Sequence, residues 1–394
     1  MFFNQIESNY KYNHIGILNL LNFKKIETPI IWYGLSIIES IEFQFEVFKR
    51  ANIKSFLSNA YDLLIQDKKQ KRETLIKTLV QAGFFHKMDS GKFQIMKNRI
   101  IGKQVPIKFN QNITFQKQLE ICCDIAVQLD VPLSPNLTKD EQKKAIDLTI
   151  DNFRKLIDLN QNRLILMPVV HGYNNKMLEY CIEKYEEILG KISLIGIGSL
   201  VPMIKNVNGT HKIGGKNKFI ENLIYIRKRL PNSCIHAFGI GGTMSYLAFY
   251  CGIDSLDSTG WIQKSSYGII QLPGVSDRFL TKKSHNRPYL TDREKDLFLK
   301  CKCDVCKKFL SYNDKKQAWK EKLKLFEQKN TEGRLIRAIH NLSVFNNELQ
   351  LIKISIKKNN LDNFIENRLK FSKYYKLFKL LQKLKSDDKI QYIL

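Results

Sequence analysis

Between residues 28 and 290, short apolar, β-rich runs alternate with longer stretches of helical periodicity, and this alternation limits the fold more than any other feature. Eight runs read as strands, at 28–35, 55–64, 92–96, 124–130, 163–172, 194–200, 234–241 and 255–260. Helical patterns at 39–51, 139–160, 175–189 and 216–229 lie between them, while 97–115 reads as loop and hairpin. Eight βα units imply a parallel sheet, and eight strands close a (β/α)8 TIM-like barrel. An open doubly wound sheet is the alternative. It would carry a glycine-rich turn after its first strand, and the only such segment, 236–242, comes late.

The character changes after residue 290, where a cysteine cluster precedes a long Lys-rich stretch of helical spacing. The expected divisions are therefore a barrel at 1–290, a metal-binding subdomain at 291–350 and a basic helical tail at 351–394. In the tail, apolar residues recur with lysines between them, which describes either a helix packed on its parent domain or one that touches a polyanion.

Charge narrows the partners. There are 64 Lys and Arg against 38 Asp and Glu, a formal net charge of +26. A field of that sign attracts nucleic acid, although a genome that writes Lys at every solvated position produces the same excess. No stretch approaches a membrane span, and the first residues lack the apolar core of a signal peptide, so an intracellular protein is expected. Eight cysteines in a reducing compartment then argue for metal binding or free thiols rather than disulfides.

Cys301, Cys303 and Cys306 place three thiols within six residues, close enough to face one tetrahedral ion. A fourth ligand must come from elsewhere in the chain. Four protein ligands would make the site structural. In a barrel, chemistry sits at the C-terminal ends of the strands. The polar residues expected there are Asp89 and Ser90, Asp130, His171 with Gly172, Ser199, and Asp257. Three carboxylates at one mouth repel one another, so at least one should be protonated more easily than usual. Taken singly, each aspartate reads better as a cap or turn residue; their shared placement at the mouth is what favours the site.

At these residues the sequence resembles the tRNA-guanine transglycosylase superfamily. The family's Asp-Ser-Gly-Gly-Phe-Gln motif stands here as Asp89-Ser90-Gly91-Lys92-Phe93-Gln94. Its nucleophile strand, Asp-x-x-Asp-Ser/Cys, stands as Asp254-Ser255-Leu256-Asp257-Ser258. Its zinc cluster, with a distant His-Asn-Leu, stands as Cys301, Cys303, Cys306 and His340-Asn341-Leu342, and its early Asn-x-Tyr-x-Leu-Leu begins at Asn59. The resemblance covers about residues 28–350. There are departures: His171-Gly172 replaces Gln-Gly, Gly198-Ser199-Leu200 replaces Gly-Gly-Leu, and the gap from Cys306 to His340 is longer than usual.

The resemblance implies that Asp257 attacks the sugar C1′ and expels guanine, and that Asp89 serves as acid and base. Asp130 would bond the base edge, Phe93 and Phe238 would sandwich it, and Ser90, Ser199 and Leu200 would line the pocket. His171 would replace the family's Gln toward the base, and Asn59 would orient the nucleophile or the sugar. Either Phe reads equally well as core. Zinc would be structural. The stretch after Asp257 resembles the DNA-modifying DpdA-type branch, which places 7-deazaguanines such as 7-cyano-7-deazaguanine into DNA. DNA is therefore the expected substrate, with tRNA as the alternative and a non-catalytic partner subunit as a further one. Trp261 and Lys264 would touch the flanking strand. Partner proteins of a DNA-modification system and a homodimer stay open.

Overall fold

Side chains alternate across each strand of a parallel ring, and that alternation sets what lies inside it. The computed structural model describes residues 3–7, 10, 12–36, 38–64, 69–91, 109–204, 215–280 and 289–386. Three antiparallel strands come first: β1 (Phe3–Glu7), β2 (Ile15–Asn19) and β3 (Lys25–Thr28). The parallel strands follow as β4 (Ile30–Gly34), β5 (Ser55–Asn59), β6 (Phe85–Asp89), β7 (Ile125–Val127), β8 (Ile165–Met167), β9 (Val169–Val170), β10 (Leu194–Ile197), β11 (Cys234–Ala237) and β12 (Ser255–Ser258). Their order in the sheet is β8-β7-β6-β5-β4-β12-β11-β10-β9. The two outer members are consecutive in the chain and separated only by Pro168. Proline has no N–H to give the ladder. One stave is thereby split into β8, which pairs with β7, and β9, which pairs with β10. The ring closes through this stave as an eight-stave α/β barrel of the TIM type.

The inward residues of the lower barrel are apolar. Ile30 and Trp32 of β4, Ile125 and Val127 of β7, Ile165 and Met167 of β8, and Leu194 and Cys234 form one buried cluster. Phe3, Leu18, Leu20 and Ile26 of the antiparallel strands join it, so this small sheet plugs the end of the barrel opposite the strand C-termini. Outward residues such as Ile31, Phe56, Met88, Ile195 and Leu256 belong to a second core beneath the helices.

The crossover helices begin where the sequence supplies caps. Ser40 accepts from Phe43 N at the start of Ile41–Arg50, and Asn174 accepts from Met177 N at the start of Asn175–Leu189. Thr138 and Glu141 form a reciprocal capping box ahead of Lys139–Asn160. The third stave lies at Phe85–Asp89, earlier than expected. The expected strand at 92–96 lies outside the described residues. From 111 the chain forms the helix Gln111–Glu120 rather than loop and hairpin, capped by Asn110.

The C-terminal third belongs to the same body. Helix Thr331–Lys357 runs through position 350, where the sequence suggested a boundary, and is buried along much of its length. Asn346 donates to the carbonyls of Ala51 and Asn52 beside the first barrel helix, and Lys353 donates to Glu27 O. Leu377, Phe378 and Leu381 of helix Tyr375–Ser386 are buried, each contributing roughly 1.5–3 kcal/mol. The apolar stripe of the tail thus packs on the parent domain. No described helix is long and apolar enough to cross a membrane.

Asp254 of the Asp254–Asp257 segment is a framework residue. Its side chain is 3% exposed, pairs with Arg227 and lies 2.8 Å from His14 Nε2. Arg227 also donates to the carbonyls of Gly252, Leu230, Pro231 and Ser233. Arg227→Ala should strip a buried carboxylate of its main partner and lower unfolding stability by about 3–5 kcal/mol, measured by denaturant titration.

Candidate active site

Strand β6 presents Phe85, Lys87 and Asp89 to the barrel interior, climbing from the apolar plug to the mouth. Lys87 is fully buried. Its ammonium lies 2.6 Å from His236 Nε2 and faces the rings of Trp32 at 5.7 Å and Phe238 at 5.0 Å. The same His236 nitrogen lies 3.1 Å from Asp257 Oδ1, which also accepts from Gly239 N at 3.0 Å. Gly239 holds φ +71, a conformation that suits glycine and turns its N–H onto the carboxylate. Trp32 Nε1 donates to Ser255 Oγ, which lies 2.8 Å from His236 Nδ1 and anchors the ring from below. Among the described residues Asp257 Oδ2 receives no hydrogen bond. The side chain keeps 13% of its surface exposed, so the carboxylate can be reached from the mouth.

These surroundings drive the two carboxylates apart. Burial, reinforced by the negative charges of Asp130 and Asp257 and opposed by Lys87, pushes Asp89 up to about 7. Burial would raise Asp257 as well, but the His236 bond, the Lys87 charge and the Gly239 N–H outweigh it and hold Asp257 below the usual carboxylate range. Burial and then the Lys87 charge lower His236 to about 4, so the ring is neutral. Burial lowers Lys87 to about 8, against the pull of Asp257 and Asp89. Near neutral pH the site therefore holds one ionised carboxylate and one that exchanges its proton, the division of labour required of a nucleophile and an acid/base.

A second chain of contacts lines the opposite wall. Ser90 Oγ donates to Asp130 Oδ1 at 3.2 Å, and His171 Nε2 lies 3.1 Å from Asp130 Oδ2. Ser199 Oγ accepts from Leu133 N at 2.8 Å, leaving its hydroxyl proton for His171 Nδ1 at 2.9 Å. Ser199 holds φ +59 to make both contacts. Gly91, at φ +84, leaves no room for a Cβ, which would meet Tyr61 Cβ at 2.6 Å and Asn59 Oδ1 at 2.8 Å.

Asp89, Ser90, Asp130, His171 and Ser199 are thus brought together, with Asp257 on β12 and Phe238 just after β11. The ring of Phe238 packs edge-on to His236 at 4.3 Å. The Gly172 carbonyl accepts from Asn222, and Leu200 is buried. Asn59 is turned aside, donating to Asp62 Oδ2 at 2.7 Å and accepting from Asp62 N at 2.8 Å. Phe93 lies outside the described residues. One expectation is corrected. Trp261 is fully buried, donating to Gly34 O, and cannot touch a ligand strand. Lys264 is paired with Asp277 at 2.7 Å and bonded to Gln271, with 11% of its side chain exposed. Lys87 and His236 were not singled out from the sequence. Period-two alternation on the strands that end in Asp89 and Asp257 would have shown Lys87 and Ser255 beneath those carboxylates.

Away from the mouth, Cys301, Cys303, Cys306 and His340 gather their ligand atoms within 4.8 Å of one another. Each sulfur lies 3.5 Å from His340 Nδ1. A tetrahedral ion with bonds of about 2.3 Å to sulfur and about 2.0 Å to nitrogen requires nearly that edge length. His340 Nε2 lies 2.9 Å from Gln271 O and donates to it, which frees Nδ1 for a metal. The donor set therefore fits a tetrahedral, fully protein-ligated ion.

Known proteins resemble this chain along most of its length. The family model described as "TGT: Queuine tRNA-ribosyltransferase" matches residues 11–374. The tRNA-guanine(15) transglycosylase of Pyrococcus furiosus is 26% identical over 380 residues, covering 93% of this chain and 56% of that protein. The enzyme of the same name from Archaeoglobus fulgidus is 28% identical over 352 residues, covering 88% and 64%. The chain therefore spans a little over half the length of these relatives.

Cys303→Ala should abolish stoichiometric metal in purified protein, read by elemental analysis, and lower the melting temperature. Chelator treatment of the unsubstituted chain should lower it likewise.

Proposed function

We propose, given that the chain belongs to the queuine tRNA-ribosyltransferase family, that it exchanges a guanine base in a nucleic acid through a covalent Asp257–sugar intermediate. The observation that carries this reading is the pairing of an ionised Asp257, open at Oδ2, with a readily protonated Asp89 across the barrel mouth. Asp257 Oδ2 forms a bond to C1′ as the C1′–N9 bond breaks. The electron pair of that bond goes to the departing guanine, which takes the Asp89 proton. The incoming base then gives a proton to Asp89, and its nitrogen displaces Asp257 from C1′, the two-step logic of a retaining glycosidase. Asp130, steadied by Ser90 and His171, accepts from the N–H edge of a guanine-like ring. Phe238 offers a stacking face beside it. Lys87 touches no substrate and acts as a positioning residue, keeping Asp257 charged.

Zn2+ suits three thiolates and one imidazole. With four protein donors it would keep no open position, and its contribution would be to hold Cys301–Cys306 against helix Thr331–Lys357.

The names of the relatives favour tRNA as the polymer. The Ser-Thr-Gly-Trp stretch that follows Asp257 supports a second reading, 7-deazaguanine insertion into DNA. Labelled guanine offered with tRNA or duplex DNA separates the two: label in tRNA is the expected result, and label in DNA alone would establish the second reading.

Two further measurements test the chemistry. Asp257→Ala should eliminate the denaturation-resistant protein–nucleic acid adduct, and an adduct that persists would sink the assignment. Asp89 must carry a proton when the base departs, so adduct formation should fall about tenfold per pH unit above about 7. On the acid side it should hold until Asp257 itself protonates, below the usual carboxylate range. Lys87→Met removes the charge that lowers both groups, so both limbs of the profile should move to higher pH. A lost structural contact alone would lower the rate and leave the limbs in place.

A further inference from the structure

We infer that a trough leading away from Asp257 seats the single-stranded stretch of nucleic acid next to the target nucleotide, with Phe371 as its stacking platform. The inference rests on the base-exchange reading, which fixes where the strand must start. The trough holds about 700 Å3, the scale of a ligand cleft. At one end Gly239, Gly241 and Gly242 form a low wall beside Asp257 and Ser258. At the other it reaches Phe371 and Tyr374, ahead of helix Tyr375–Ser386.

The chemistry of the far end is that of a strand-binding groove. Phe371 is 68% exposed, and the Arg293 guanidinium lies 3.7 Å from its ring centroid. Lys216 Nζ is 4.9 Å and Lys373 Nζ 5.4 Å from the Tyr374 ring. Two aromatic faces, each beside cations, match what an unpaired strand offers: flat bases for the rings and phosphates for the charges. The carboxylates of this lining do not cancel the field. Asp277 is held by Lys264 at 2.7 Å and Glu294 by Arg278 at 2.8 Å. A lone exposed phenylalanine is ordinary on a protein surface. One stacked under a guanidinium, in a basic trough that begins at the nucleophile, has a use there. A target base must leave its stack to reach Asp257, and the neighbouring nucleotides then need new partners.

The test uses the full chain, short labelled single-stranded DNA and RNA oligonucleotides of matched sequence, and fluorescence anisotropy without any incoming base. Phe371→Ala should weaken binding about fivefold to a hundredfold, the equivalent of about 1–3 kcal/mol for one stacked base. Phe371→Trp should restore it. Arg293→Ala should lower the slope of log affinity against log salt by about one. Because Phe371 is exposed, the melting temperature should not move. Tighter binding of RNA or of DNA identifies the natural polymer, and either supports the trough. Binding equal to the unsubstituted chain in both Phe371→Ala and Arg293→Ala would overturn it, as would failure of the unsubstituted chain to bind either oligonucleotide. The covalent adduct is scored separately. Loss of binding in Phe371→Ala with no adduct in the unsubstituted chain removes base exchange and keeps the trough. A normal adduct with unchanged binding in both Phe371→Ala and Arg293→Ala does the reverse.

Discussion

The site depends on one positive charge placed where positive charges are seldom found. Lys87 stands inside the barrel, above an apolar plug and below two carboxylates. A lone ammonium in such a place is costly to bury. Here His236 at 2.6 Å, the π faces of Trp32 and Phe238, and the anionic charge overhead offset that cost. In return the charge favours the ionised form of both aspartates, and the His236 bond and the Gly239 N–H single out Asp257. Asp257 sits in direct contact with the His236–Lys87 pair and stays ionised. Asp89, facing Asp130 and Asp257, holds its proton into the neutral range. The asymmetry comes from position, since both groups have the same chemistry.

The metal cluster supports the mouth indirectly, through one short segment. His340 reaches Gln271 O, and the adjacent Asn341 accepts from Gln271 N and donates to Ile269 O. The helix that carries the imidazole therefore grips the chain soon after the strand that carries Asp257. The same segment supplies Pro273, Gly274 and Val275 to the basic trough. The Cys3His group, the Asp257 strand and the trough lining thus share one framework.

Much of this was legible in the sequence, and the exceptions have physical causes. Seven staves announce themselves as β-branched or apolar runs, and long helices such as Lys139–Asn160 show full periodicity with caps. The third stave, Phe-His-Lys-Met-Asp, does not look like a buried strand because its inward face carries the polar groups of the site. The more apolar run at 92–96 reads better as a strand, and that register leaves Lys87 outside it. A lysine in so basic a chain reads as surface by default, and only the strand register reveals otherwise. The three cysteines were legible from spacing alone, whereas His340 needed the family resemblance because a chain-distant ligand leaves no local signal. Trp261 was misread for a related reason: in a helix of seven residues, Gly260–Ser266, periodicity is too short to say which face is inside. The antiparallel plug of β1 to β3 escaped notice because its strands are short and interrupted by Asn and Lys.

Lys385 donates to Asn13 Oδ1 and to Tyr250 O, a contact that spans 372 positions in the chain to reach the first of these. Segments that close over such distances form late, because the loop must be gathered before the contact rewards it. During synthesis the plug strands and the early staves emerge long before their last cover is made. Until the helix Tyr375–Ser386 leaves the ribosome, Tyr250 and its neighbours keep an apolar flank open to water. A barrel of this design therefore keeps that flank exposed, and prone to association, until the helix has been made.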